Sequence, residues 1–201
     1  MVYIAPIVEG HGEIDALPAL LHRIRGSLPT STALQINTPI RIKSGSFLND
    51  TTYFERHVAF AAAKATQRHG SVFILLDCDD YSHCPAQLGP QLLRDATAVR
   101  SDVPVFVALA PREYETWFLA AAHSLRGVAG LPDSLEPPPN LEHIRDAKGW
   151  LSERMPGKYD PILHQALFSK RMDLDAARTV QSFDRLYLYM ARLLEIKSTH
   201  P

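Results

Sequence analysis

Two short acidic segments, each directly behind an apolar run, hold most of the chemistry this chain advertises. Val2–Val8 (VYIAPIV) leads into Glu9-Gly10-His11-Gly12-Glu13, and residues 71–76 (SVFILL) lead into Asp77-Cys78-Asp79-Asp80. In a parallel α/β sheet, ligands collect at the carboxyl ends of the strands. If the two runs are neighbouring strands, at least four carboxylates converge on one small volume, which like charges resist. An oxygen-seeking divalent cation such as Mg²⁺ relieves that repulsion. Asp77 and Asp79 lie two apart, so an extended backbone directs both to the same side.

Each residue also has an ordinary reading. Glu13 suits a helix start, where the dipole favours an acid, and Glu9 suits a solvated turn. Asp77 to Asp80 suit a turn held by Asp side chains. Gly10 and Gly12 allow a sharp turn and a close approach to a ligand. Asp15 stands where a dinucleotide fingerprint needs its third glycine, and no G-K-[ST] is present, so a Walker A loop is excluded. His11, Cys78, His83 and Cys84 raise zinc, but C-x5-C matches no common structural spacing, and Cys78 reads as a small core residue. A third acidic pair, Glu113 and Glu115, follows another apolar run. It offers a further metal ligand, Glu115 ahead of Glu113, or simply the acidic first turn of a helix. Arg112 is either a phosphate contact or the partner of a nearby acid. Lys170-Arg171 is a solvated pair unless it folds back over the acids to stabilise charge. Arg41 and Lys43 are further candidate phosphate contacts.

The elements that must position these residues follow from periodicity. Residues 14–25 repeat apolar positions at helical spacing, with Pro18 placed in the first turn or so. Residues 34–42 (LQINTPIRI) alternate as a strand, where Pro39 marks an edge or a bulge. Thr51 or Thr52 is expected to cap a helix running to His69. Residues 86–99 read as a helix interrupted at Gly89-Pro90, and 103–109 as a buried strand. The alternation of strands and helices up to Ala122 predicts an α/β fold with a mainly parallel sheet and helices on both faces. Residues 1–126 form the expected core and 127–140 a Pro/Gly-rich loop. Residues 141–201 form a helical appendage, with helices over 141–153, 161–168 and 173–196.

The chain has 201 residues, 46% of them hydrophobic, and a formal net charge of −1. That suits one globular unit of this size and gives no global field toward nucleic acid or anionic lipid. Two cysteines give no disulfide framework, and no stretch approaches a membrane span, so a reducing cytoplasm is expected.

The run Ile7-Val8-Glu9-Gly10-His11-Gly12-Glu13 with Leu75-Leu76-Asp77-Cys78-Asp79 resembles the Toprim domain of primases, topoisomerases and OLD-type nucleases, over about residues 1–122. Glu13 resembles the OLD-type variety. Arg112-Glu113-Tyr114-Glu115-Thr116-Trp117 and Lys170-Arg171-Met172-Asp173-Leu174 further resemble a bacterial Toprim-like family of unknown function, often encoded beside ATPases in genome-defence neighbourhoods. The resemblance implies that Glu9 is the acid/base or metal-proximal glutamate and that Asp77 and Asp79 hold Mg²⁺ or Mn²⁺. It implies that Glu13 with Glu115, and less securely Glu113, holds a second ion, and that Lys170 serves transition-state charge. Arg41, Lys43, Arg112 and Arg171 would touch nucleic acid. Departures are the absence of a topoisomerase tyrosine context and of a preceding ATPase domain.

The expected function is therefore metal-dependent phosphodiester hydrolysis in nucleic acid, using up to two ions about 3.5–4 Å apart. The alternatives are an effector subunit that is inactive alone and works with a separate ATPase, and phosphoryl transfer on a small nucleotide. Nucleic-acid binding by the isolated chain is expected to be weak. Homo-oligomerisation stays open.

Overall fold

The computed structural model of the protein describes residues 1–78, 85–141 and 144–196. Asp79, Asp80, His83 and Cys84 lie outside the described residues.

Strand β1 (Val2–Val8) is buried along its whole length, as an apolar run covered on both faces must be. It pairs in parallel with β4 (Ser71–Cys78), from Ile4↔Ser71 to Val8↔Leu75, and β4 pairs in parallel with β5 (Val105–Pro111). On the other side of β1 lie two short parallel segments, β2 (Leu34–Ile36) and β3 (Ile40–Arg41). The alternating run 34–42 is thus one edge strand broken at Asn37-Thr38-Pro39. Proline has no N–H for the ladder, and pairing resumes just beyond it. The order β2-β1-β4-β5 is that of a mainly parallel, Rossmann-like α/β sheet. The chain leaves β1 to one side and returns on the other, so the topological switch point falls between β1 and β4. That is where such sheets open a crevice at their carboxyl ends.

Alternate residues feed two cores. Val2, Ile4 and Val8 pack with α1 (Glu13–Ser27), α7 (Pro161–Arg171) and α9 (Gln181–Ile196). Ala5 and Ile7 pack with α2 (Ser44–Asn49), α3 (Thr51–Thr66) and α4 (Pro85–Val99). Helix α7 lies along α1, which brings the C-terminal helices to the acidic end of β1.

Several local expectations are corrected. Pro18 sits well inside α1 rather than in its first turn; the buried face of Ala16, Leu17, Leu20, Leu21 and Ile24 holds the helix across it. Asp50, not Thr51 or Thr52, caps α3 by accepting from the Tyr53 N–H at 3.0 Å, and the helix ends at Thr66 rather than His69. Helix α4 runs through Gly89-Pro90 without interruption. Strand β5 starts at Val105, not Val103. Of the helix expected over 141–153, only α6 (Ala147–Ser152) forms, behind the Asp146 cap. The helix expected over 173–196 divides into α8 (Leu174–Ala177) and α9, where Thr179 turns its hydroxyl onto the Ala176 carbonyl. The short helix α5 (Thr116–Ala120) follows β5 and is almost wholly buried. Among the described residues no helix is long and apolar enough to cross a membrane.

Candidate functional site

β1 ends at Val8, and the chain turns through Glu9 to Gly12 before α1 begins at Glu13. The Glu13 side chain folds back over that turn. Its Oε2 accepts from the backbone N–H of Glu9 at 3.1 Å and of Gly10 at 3.2 Å. The Ser44 hydroxyl, at the start of α2, donates to Glu9 Oε1 at 2.5 Å. Gly12 has a packing reason to be glycine. A Cβ there would stand 2.4 Å from the Pro161 carbonyl oxygen and 2.3 Å from Gln165 Oε1. The close approach it permits is thus to the first turns of α7.

Asp77 sits on β4 opposite Ala110 of β5, and its Oδ1 accepts from the Tyr114 N–H at 2.8 Å. Behind β5, Glu113 Oε2 accepts from the N–H groups of Ala147 and Lys148 at 2.7 and 3.1 Å, docking the start of α6. Glu115 is fully buried. Its Oε1 accepts from the Tyr159 hydroxyl at 2.9 Å and from Gln165 Nε2 at 3.2 Å. Lys148 Nζ reaches into this group, 2.8 Å from Glu113 Oε1, 3.4 Å from Glu115 Oε2 and 3.7 Å from Asp77 Oδ2. The contact to Glu115 is an ion pair without hydrogen-bond alignment, so Glu115 Oε2 has no hydrogen-bond donor; neither has the buried Gln165 Oε1.

Burial dominates the electrostatics. It pushes Glu13 up to about 7, with the charge of Glu115 adding to it and the Gly10 N–H opposing it. Burial, then the charges of Glu13 and Glu115, hold Asp77 well above the usual carboxylate range. Burial also raises Glu115, against the pull of Lys148. For Lys148 burial alone would lower the ammonium, but Glu115, Asp77 and Glu113 together hold it above its ordinary value. Three carboxyls that resist ionisation around one cation describe a site short of positive charge.

A cleft of about 330 Å³ opens over these groups, walled by Glu9, His11, Glu13, Asp77, Lys148, Asp160, Ile162 and Gln165 among others. Of the residues singled out from the sequence, Glu9, Glu13 and Asp77 line it, and Glu113 and Glu115 stand directly behind through Lys148. Asp79 is outside the described residues. Arg41 and Lys43 are exposed and precede Ser44 on the segment beside Glu9. Arg112, at a positive φ of 64°, donates to the Ile144 carbonyl at 2.7 Å and so ties down the segment before α6. Lys170 and Arg171 are exposed in the last turn of α7, whose first turn lines the cleft. Nine residues of helix separate Lys170 from Pro161, a rise of about 13 Å.

A family model, domain of unknown function (DUF4276), matches residues 8–191. The chain belongs to this family. The matched region begins just before Glu9 and takes in every side chain of the cleft. Comparisons with curated proteins and with solved structures gave no match.

Among the described residues no group of three or more His, Cys, Asp or Glu side chains is arranged to hold a metal ion. The reason lies in the partners above, since Lys148, Ser44 and backbone N–H groups take up carboxylate oxygens. The chemistry of the donor set still fits a hard divalent cation. It is all oxygen, Glu13 and Glu115 within it are buried, and at its wall the described residues supply no donor to the buried amide oxygen of Gln165. The sequence reading missed Lys148, Ser44, Tyr159 and Gln165. The sequence signal that could have located Lys148 is Asp146, an N-cap residue type two positions before it.

Proposed function

We propose that this chain is a Toprim-like, Mg²⁺- or Mn²⁺-dependent phosphodiesterase acting on nucleic acid in the cytoplasm. The observation that carries the reading is the convergence of Glu9, Glu13, Asp77 and Glu115 on the carboxyl ends of the adjacent parallel strands β1, β4 and β5. They meet at the topological switch point of the sheet. Glu9 and Asp77 would hold the cation, with Asp79 the expected further ligand. Bound there, such an ion would polarise a phosphoryl oxygen and offset the charge that develops on the leaving oxygen.

The chain's own residues do the rest. Ser44 holds one oxygen of the Glu9 carboxylate at the cleft wall, where Glu9 would hold the cation or exchange a proton. Asp77 is held in register by the Tyr114 N–H. Arg41 and Lys43 lie on the Glu9 side and suit the phosphates flanking the scissile bond. Lys148 supplies positive charge on the Glu115 side. The decisive experiment is nicking of supercoiled plasmid with Mn²⁺, with and without EDTA, by wild type, Glu9→Gln and Asp77→Asn. Cleavage that needs Mn²⁺ and both carboxylates supports the reading; equal cleavage by all three proteins removes it.

One observation favours a second reading. Lys148 already engages three of the acids, and a net charge of −1 gives little long-range attraction to a polyanion. On that reading the chain is an effector or binding subunit, inactive alone, that works with a separate ATPase. Vigorous nicking by the isolated chain excludes it.

A further inference from the structure

The carboxylates of the site fall into two halves that differ in what neutralises them. Glu113, Glu115 and one oxygen of Asp77 surround Lys148 Nζ at 2.8, 3.4 and 3.7 Å. Among the described residues, Glu9 and Glu13 are met by a hydroxyl and backbone N–H groups and by no cation. We infer that the cleft takes one divalent cation, bound on the Glu9–Asp77 side, and that Lys148 permanently holds the position a second cation would need. The inference rests on the metal-dependent reading above.

Lys148 is not a flexible surface lysine that drifts into place. Its own N–H and that of Ala147 donate to Glu113 Oε2, so the acid that pairs with the ammonium also fixes the backbone carrying it. Asp146 caps the same short helix by accepting from the Gly149 N–H at 2.6 Å. A Mg²⁺ on the Glu113–Glu115 oxygens would require metal–oxygen distances of about 2.1 Å. That places it almost on top of the ammonium, where two cations exclude each other. On the open side, Gln165 Oε1 is a buried acceptor without a donor at the cleft wall, and it is the independent sign that this side receives a cation or its bound water.

The test counts ions on the full chain by calorimetry and by Mn²⁺ electron paramagnetic resonance. Wild type, Lys148→Arg and Lys148→Met are each prepared with and without Mn²⁺. One Mn²⁺ per chain is expected for wild type and Lys148→Arg, and two for Lys148→Met. Two ions on wild type overturn the inference but leave the metal-dependent reading standing; none on wild type overturns both. One ion on Lys148→Met also overturns the inference, because something other than the lysine then limits the count. Should Lys148→Met fold only with Mn²⁺ present and bind two ions, the inference is supported. Should it fail to fold at every Mn²⁺ concentration, a divalent ion does not replace the ammonium and the inference falls.

Discussion

Glu9 and Glu13, behind β1, are met by neutral donors, whereas Glu113 and Glu115, behind β5, are met by an ammonium and the start of a helix. Both turns crowd two acids into a space largely closed to water. The β5 turn carries its own cation, Lys148, whose charge works against the burial that raises Glu115. Among the described residues the β1 turn has none, and burial pushes Glu13 up to about 7. The contrast teaches where an added cation has most to offer. It gains little beside Lys148 and much beside Glu9 and Glu13.

Asp77 joins the two halves, so its neutralisation gives the largest expected effect. Changing even an outer-shell partner of a metal costs about 10–100-fold, so Asp77→Asn should lower Mn²⁺-dependent nicking by more than about 100-fold. The apo protein should melt no lower than wild type. Asn keeps the oxygen that accepts from Tyr114 while removing a charge that burial disfavours. A clear drop in the apo midpoint would assign Asp77 to structure and dissolve the contrast between the halves.

The next effect isolates the β1 half. A carboxyl raised in the folded chain binds its proton more tightly there than when unfolded. Stability therefore falls as pH climbs from about 4.5 to about 7 and is level above that. The upper limit for Glu13 is on the order of 3 kcal/mol, and the raised Asp77 and Glu115 act in the same direction. Denaturant titrations of the metal-free protein at pH 5 and pH 8 should show the loss, and Glu13→Gln should reduce it. Mg²⁺ should stabilise more at pH 8 than at pH 5, because it binds ionised carboxylates. A pH-independent midpoint in metal-free buffer would contradict the account of Glu13.

The two halves were not equally legible in the sequence. β1 and β4 are near-continuous apolar runs because both faces are covered, and an acid directly after such a run marks the carboxyl end of the strand, although β4 runs on through Asp77 to Cys78 instead of stopping at Leu76. That pattern yields Glu9 and Asp77 without a structure. Lys148 has no such signature. Its position depends on Glu113, some 35 residues earlier in the chain, accepting the first N–H groups of α6. Lys170 enters as a candidate through the resemblance carried by Lys170-Arg171-Met172-Asp173-Leu174. The same limit explains the helices over 141–153 and 173–196. Their apolar spacing is visible, but the breaks come at Asp146 and Thr179, whose side chains bond to nearby backbone.

Lys148→Met probes the β5 half. Removing one partner of a fully buried pair costs about 3–5 kcal/mol, but the Lys148 side chain is 36% exposed, so about 2 kcal/mol is expected. For a chain of this size that lowers the melting midpoint by about 4–8 °C. Lys148→Arg should recover most of it. An unchanged midpoint for Lys148→Met would mean that water or protonation neutralises Glu115 without help, and the β5 half would be no better balanced than the β1 half.

Lys170→Ala should give the smallest effect, and its value is as a control on the two lysines. Lys170 is exposed at the far end of α7, whereas Lys148 Nζ lies among the acids. A surface substitution of that kind usually changes stability by less than about 0.5 kcal/mol. Ion stoichiometry and the pH dependence of stability should match wild type. Nicking should change by less than about twofold, apart from a modest loss at raised salt if Lys170 meets a distant phosphate. Lys148→Ala, assayed beside it, should fall much further. If Lys170→Ala abolished cleavage while Lys148→Ala left it intact, the charge serving the transition state would come from the C-terminal end of α7. The chain would then have to rearrange on binding nucleic acid, and Lys148 would be left with a structural role.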